Sequence, residues 1–251
     1  MDRQELIAER VAAFDGDIRL LVRTFDGRQF AHGADTATDP MSVIKLAYLY
    51  EAYQQLDMTE MVTLGPDVTG KGTGILCRLN KPITMPVLDL VTLMIVLSDN
   101  IATDYVMSRL DRDLMEGRLK QLGLADTFAS HPFWSSCAPP APRSQNVSTP
   151  RDICALLEHI RPHAEMMDIL AKQLDRTIIH HFLPADVKPY TKSGQHAAYR
   201  HDAGILQWDG GGAYITLFGV RSYPATNPRE LLEYDMQLAP IAEAAYLWAR
   251  G

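Results

Sequence analysis

Apolar residues recur at helical spacing from Leu6 to Phe14, break at Asp15-Gly16, and give way to Ile18-Arg19-Leu20-Leu21-Val22-Arg23-Thr24-Phe25, which reads as a strand. Asp26-Gly27 is a hairpin signal, so Arg28 to His32 is expected to return antiparallel. From Pro40 the period becomes helical through Leu56, with proline at a first-turn position where its missing N–H costs nothing. A glycine-containing loop, Gly65 to Gly74, follows. Pro86 to Ser98 is apolar nearly all round, as in a helix at the middle of a helical lobe. Helical spacing resumes over Ile101–Leu110 and Asp113–Leu122, where Gly123 is a natural stop. Asp126 to Pro150 is a long aperiodic stretch, rich in Ser and Pro. Helices are expected again from Thr149-Pro150-Arg151-Asp152 and over Ile169–Ile179. Strands follow over Lys188–Ser193, Gly204–Trp208 and, after a turn at Asp209-Gly210-Gly211-Gly212, Ala213–Arg221. Pro228 to Arg250 reads as a closing helix.

This order predicts an α+β fold: an antiparallel sheet built from both chain ends and flanked by the terminal helices, with a central all-helical lobe. Residues 1–251 then make a single catalytic domain, 1–40 and 188–251 forming the α/β lobe and 41–187 the mainly helical one. With 31 acidic against 24 basic residues and no long Lys/Arg run, nucleic acid is not expected as a partner. No stretch approaches a membrane span, and Met1-Asp2-Arg3-Gln4-Glu5 has no signal-peptide character, so a cytoplasmic protein without membrane association is expected. The three cysteines, Cys77, Cys137 and Cys154, are odd in number and widely spaced, and read as reduced thiols. His180-His181 point in different directions, so neither a metal nor another cofactor is expected.

Three short motifs occur in order: Ser42-Val43-Ile44-Lys45, Ser98-Asp99-Asn100 and Lys192-Ser193-Gly194. They fall on a helix start, the end of a buried helix and an interior strand. In these boxes the chain resembles the class A β-lactamase and penicillin-binding protein superfamily, with its Ser-x-x-Lys, Ser-Asp-Asn and Lys-Thr/Ser-Gly motifs. Gly72-Thr73-Gly74-Ile75, Ile101-Ala102-Thr103-Asp104, Leu122-Gly123-Leu124 and Ser148-Thr149-Pro150 extend the resemblance from about Leu20 to Leu247.

Residues three apart share a helical face, so Lys45 can lie beside Ser42, and a serine in the first turn faces unsatisfied N–H groups. A serine needs a neighbouring base, and a lysine serves only if burial or nearby positive charge depresses its pKa; Lys192 is the candidate charge. The resemblance implies that Ser98 relays a proton to the leaving group and that Asn100 orients Lys45 and the substrate. It also implies an oxyanion site between the N–H groups of Ser42 and Gln195. Ser193 and Gly194 belong to the same substrate-binding strand.

The resemblance breaks in the long loop. Class A β-lactamases carry a loop glutamate that positions the deacylating water, whereas nothing between Asp126 and Asp152 is acidic. His131 is a candidate base there, against a solvated or structural role. In Tyr199-Arg200-His201-Asp202-Ala203-Gly204, Arg200 or His201 either binds a substrate carboxylate at the cleft rim or makes a cross-strand charge contact. The expected activity is a serine hydrolase or acyltransferase acting on a small-molecule amide, ester or β-lactam through an acyl-enzyme on Ser42. The alternatives are a penicillin-recognising sensor that acylates without turnover, and a true class A β-lactamase with a displaced deacylating residue.

Overall fold

The computed structural model describes residues 2–251. Helix α1 (Arg3–Ala12) starts with a capping box in which Asp2 accepts from the Gln4 N–H and the Glu5 side chain accepts from the Asp2 N–H. β1 (Asp17–Thr24) and β2 (Gln29–His32) pair antiparallel through the Asp26-Gly27 turn. The chain then crosses to helices α2 (Lys45–Gln55), α3 (Val87–Val96), α4 (Asn100–Arg109), α5 (Arg112–Gln121), α6 (Pro150–Ile160) and α7 (Ala164–Ala171). A two-stranded sheet, β3 (Met61–Leu64) with β4 (Ile83–Pro86), precedes α3. Strands β5 (Lys188–His196), β6 (Tyr199–Trp208) and β7 (Gly211–Val220) return to the first sheet, and α8 (Pro228–Arg250) closes the chain.

The main sheet has the order β2-β1-β7-β6-β5 and is antiparallel throughout, so both chain ends build it. Alternation on β1 divides the core. Ile18, Leu20 and Val22 pack with Ile7, Leu238 and Ile241 under α1 and α8, whereas Leu21 faces the helices on the other side with Leu157 and Tyr214. The α+β expectation therefore holds, and edge strand β5 is left beside the turn that carries Ser42. Among the described residues no helix is long and apolar enough to cross a membrane.

Three local expectations are corrected. Residues 41–44 form a 3₁₀ turn, and α2 begins only at Lys45. The helix expected over Ile169–Ile179 ends at Ala171: Gln173 Oε1 accepts from the Asp175 N–H and Asp175 Oδ1 from the Thr177 N–H, bonds that compete with the helical ladder. The apolar pair Ile178 and Ile179 instead fills the core beneath α1 and α8. The β3–β4 sheet was not foreseen, because each strand is only four residues long, too short for its alternation to stand out.

Candidate active site

Ser42 lies on the 3₁₀ turn behind Met41, whose φ of 50° puts a non-glycine residue in left-handed conformation. The bend is held from below, Asp39 Oδ1 accepting from the Met41 N–H at 2.9 Å. Burial raises Asp39 above the usual carboxylate range. Lys45, at the first position of α2, is fully buried, although a lysine ammonium is rarely placed so. Its Nζ donates to the Ser98 carbonyl at 2.7 Å and to Asn100 Oδ1 at 3.0 Å, and lies 3.2 Å from Ser98 Oγ. Burial, and then the positive charge of Lys192, push its pKa well below the usual lysine range, against the opposing pull of Asp99 and Asp104. A neutral amine has two N–H donors, which the two carbonyl-type oxygens take. Its lone pair then remains for a hydroxyl proton.

The second motif bends around Ser98, also at positive φ (53°). Asp99 caps α4 by accepting from the Ala102 N–H, while its other oxygen accepts from the Ile75 and Leu76 N–H groups at 2.7 and 2.8 Å. The loop 72–76 is thereby held over the site, and Gly74, at φ 112°, passes so close to Asp99 that a Cβ there would collide. The Asn100 amide is committed at both ends: Oδ1 receives Lys45, and Nδ2 donates to the Lys71 carbonyl at 3.1 Å.

The third motif is on β5, next to the backbone of Ser42. A Cβ on Gly194 would lie 2.9 Å from both the Ser42 nitrogen and the Pro40 oxygen, so only glycine lets the strand approach this closely. Lys192 is fully buried, donates to the Ser193 carbonyl at 2.6 Å, and is lowered by burial to about 8 against the opposing influence of Asp175 and Asp202. At neutral pH it therefore keeps most of its charge. Asp202, opposite Ser193 in register, is pushed up to about 8 by burial, with one oxygen accepting from the Ile179 N–H. His201 is buried and held neutral, its pKa lowered to about 4 by burial; its Nε2 donates to the Asp39 carbonyl.

Ser42, Ser98, Asn100, Ser193, Gln195 and Arg200 line one cleft of about 630 Å³, with Lys45 and Lys192 buried beneath it. All three motifs thus converge. Arg200 has its guanidinium bound on two nitrogens by Asp235 of α8, with both side chains buried, so the charge contact it makes is to the last helix and not across the sheet. From the long loop the cleft receives His131, Pro132, Phe133, Trp134 and Asn146, none of them acidic. The Phe133 ring centroid lies 4.3 Å from Lys45 Nζ. His131 has a partner, its Nδ1 donating to the Arg143 carbonyl at 3.1 Å, which leaves Nε2 as the acceptor in the neutral ring. Among the described residues no group of three or more His, Cys, Asp or Glu side chains is placed to hold a metal ion. His180 instead bonds Thr191 Oγ1, and His181 packs edge-on to Phe182.

Sequence reasoning passed over two carboxylates. Asp104 is fully buried and accepts from the Phe133 N–H at 2.6 Å and the Ser135 N–H at 2.8 Å, anchoring the loop to α4. Its position four residues after Asn100, on the same helical face, was the available signal. Asp235 gave none, since it meets Arg200 only once α8 packs on the sheet.

A family model described as the beta-lactamase enzyme family matches residues 2–235. Among solved structures, a beta-lactamase from Sphaerobacter thermophilus DSM 20745 superposes with a TM-score of 0.86 at 21% identity, over 100% of this chain and 98% of that one. PBP-A superposes with a TM-score of 0.81 at 21% identity, over 98% of this chain and 94% of that one. An ancestral class A beta-lactamase (GNCA) gives 0.81 at 18% identity, over 98% and 99%. At such identities the likeness is one of fold. A comparison with curated proteins gives no match.

Proposed function

Because the chain belongs to the beta-lactamase enzyme family, we propose that it is a serine hydrolase or acyltransferase that forms an acyl-enzyme on Ser42, with Lys45 as the base for both half-reactions. The observation that carries this reading is the environment of Lys45: an amine buried beneath the cleft, depressed in pKa, with two carbonyl-type acceptors fixing its N–H groups. In acylation the Ser42 hydroxyl proton passes to Lys45 Nζ as the serine oxygen bonds the acyl carbon. The negative charge that develops on the former carbonyl oxygen is received by the N–H groups of Ser42 and Gln195. The bond to the leaving group then breaks, and the proton travels from Lys45 through Ser98 to the departing nitrogen or oxygen. Water, or another nucleophile, reverses the sequence using the same amine.

With β-lactams the second half is expected to be slow. The leaving group of an opened lactam stays tethered to the acyl-enzyme and obstructs the path used in acylation. On the other side Phe133 lies against Lys45 and both oxygens of Asp104 are engaged by the loop, so neither residue offers a carboxylate to activate water there. A mutant of PBP-A is described as an acyl-enzyme complex with penicillin G, which is the kind of species expected here. Intact-mass spectra recorded over time after mixing with penicillin G, with released product measured in parallel, test the proposal. One adduct per chain on Ser42 followed by slow release is expected, while no adduct at Ser42 refutes it. Burst-free hydrolysis at roughly 10²–10³ s⁻¹, the upper end of ordinary enzymes, would favour a true β-lactamase.

A further inference from the structure

Trp134 is set as a recognition element at the mouth of the cleft. Its φ is 64°, an outlier for so bulky a residue, and its side chain is 68% exposed although it is the largest apolar group in the loop. The strained position is imposed by the fold: the N–H groups on either side of it, those of Phe133 and Ser135, are bound by the two oxygens of buried Asp104. The ring is oriented as well, meeting His131 edge-on with centroids 6.3 Å apart. Leu174, 62% exposed, and Leu231 of α8 line the same cleft, as do Val96, Leu97 and Pro132. The formal charges in this lining are unsuited to an anion. Asp39 and Asp175 are acidic, and the guanidinium of Arg200 is already held by Asp235.

We propose that Trp134, Leu174 and Leu231 form a specificity subsite for an uncharged apolar acyl group, best filled by an aromatic one, so that the preferred acyl donors are neutral aryl-acyl esters or amides. This rests on Ser42 being the acylated residue. The covalent step is unchanged: the ester's acyl–oxygen bond breaks as the Ser42 ester forms, and the serine proton reaches the departing alcohol through Lys45. An aromatic acyl group gains by stacking on Trp134 and by leaving water, whereas a carboxylate-bearing one meets the lining carboxylates Asp39 and Asp175, the Lys192 ammonium being buried beneath the cleft and engaged with the Ser193 carbonyl.

The test compares kcat/KM for 4-nitrophenyl phenylacetate, acetate and hemisuccinate, each corrected for the Ser42→Ala protein and for the intrinsic reactivity of the ester in alkaline buffer. A phenylacetyl preference over acetyl of about tenfold or more is expected, in line with the discrimination an apolar pocket provides, with hemisuccinyl poorest. In Trp134→Ala that ratio should collapse to within about threefold, and in Trp134→Phe, which keeps an aromatic face, most of it should return. A corrected wild-type ratio near one, or an undiminished ratio in Trp134→Ala with native circular dichroism, overturns the subsite. If Ser42 is not acylated by any ester, the proposed function fails on its own, and equilibrium titration with phenylacetamide decides the subsite separately. Saturable binding that is lost in Trp134→Ala supports it, and no binding overturns it.

Discussion

Phe133→Glu should convert slow release into turnover. The Phe133 ring centroid is 4.3 Å from Lys45 Nζ and the residue lines the cleft, so a carboxylate on the same stem reaches both the base and the space beside the Ser42 ester. The loop backbone need not move, because Asp104 holds the Phe133 N–H and not its side chain. A positioned general base typically contributes about 10²- to 10⁴-fold, which is the expected gain in deacylation of a penicillin adduct. The same substitution has an opposing effect on acylation. Opposite unit charges about 4 Å apart attract by about 4 kcal/mol at an effective dielectric near 20, which favours the ammonium form of Lys45. Phe133 is half-buried, so solvent screens much of this; if a third survives, the neutral-amine fraction at fixed pH falls about tenfold. Stopped-flow bursts with a chromogenic cephalosporin from about pH 6 to 10 separate the two effects, since the burst rate reports Lys45 and the steady rate reports the new carboxylate. Faster steady turnover with a burst that needs higher pH is the expected pair. An adduct lifetime unchanged from wild type, in a folded variant that still acylates, would refute the placement of the loop over the ester.

Lys45→Ala should suppress penicillin acylation beyond the roughly 10²- to 10⁴-fold of a single general base, because nucleophile and base act as a unit; a near wild-type rate in stopped flow would require another base. Gly194→Val should cut acylation by about 10²-fold or more, since its Cβ would push β5 away from the Ser42 N–H, and an unchanged burst rate would contradict that approach. Asp235→Asn should free the Arg200 guanidinium and lower KM for hemisuccinyl esters relative to acetyl esters; equal KM changes for both would show that Arg200 does not face the substrate. Asp202→Asn carries a pH signature. Burial lifts Asp202 to about 8, so between the ordinary carboxylate range and that value the folded chain holds a proton that the unfolded chain releases, and this contribution to stability is lost as pH rises. The uncharged variant should therefore show a flatter fall in Tm from about pH 4 to 8, and an identical slope would refute the shift.

That the three motifs meet in one cleft was legible because each is a local pattern tied to a local element: a serine three residues before a lysine at a turn, a cap at the start of α4, a glycine in β5. Period sufficed to place most helices and the outer strands, since a residue's side of the sheet or helix follows from its position in the repeat. Failure came where side chains bond backbone in place of the ladder, as Gln173 and Asp175 do in ending α7, and where strands are as short as β3 and β4. The charge state of the site was legible only in outline. That a second lysine should depress the first follows from the motifs, but the burial that contributes most to the shift exists only once the Ser98–Asn100 segment and Phe133 of the long loop close around Lys45.

Arg200 and Trp134 show what no single segment contains. The sequence left Arg200 between a substrate carboxylate and a cross-strand partner, and the partner turned out to lie on α8, 35 residues away, where packing of the last helix brings it. Its neutralisation changes the reading of the cleft, because a guanidinium already bound on two nitrogens is a wall and not a receptor. Trp134 lies in a Ser/Pro-rich loop without a periodic pattern that would tell which way its side chain faces. Only the buried Asp104, reaching from α4 to the N–H groups on either side of it, makes its exposure a property of the fold. The proposed reaction and the proposed substrate preference thus rest on different observations. The proposed chemistry is read from short motifs, while the proposed preference rests on two long-range carboxylates, Asp104 and Asp235, which hold the Phe133 and Ser135 N–H groups and the Arg200 guanidinium and so decide which side chains the cleft presents.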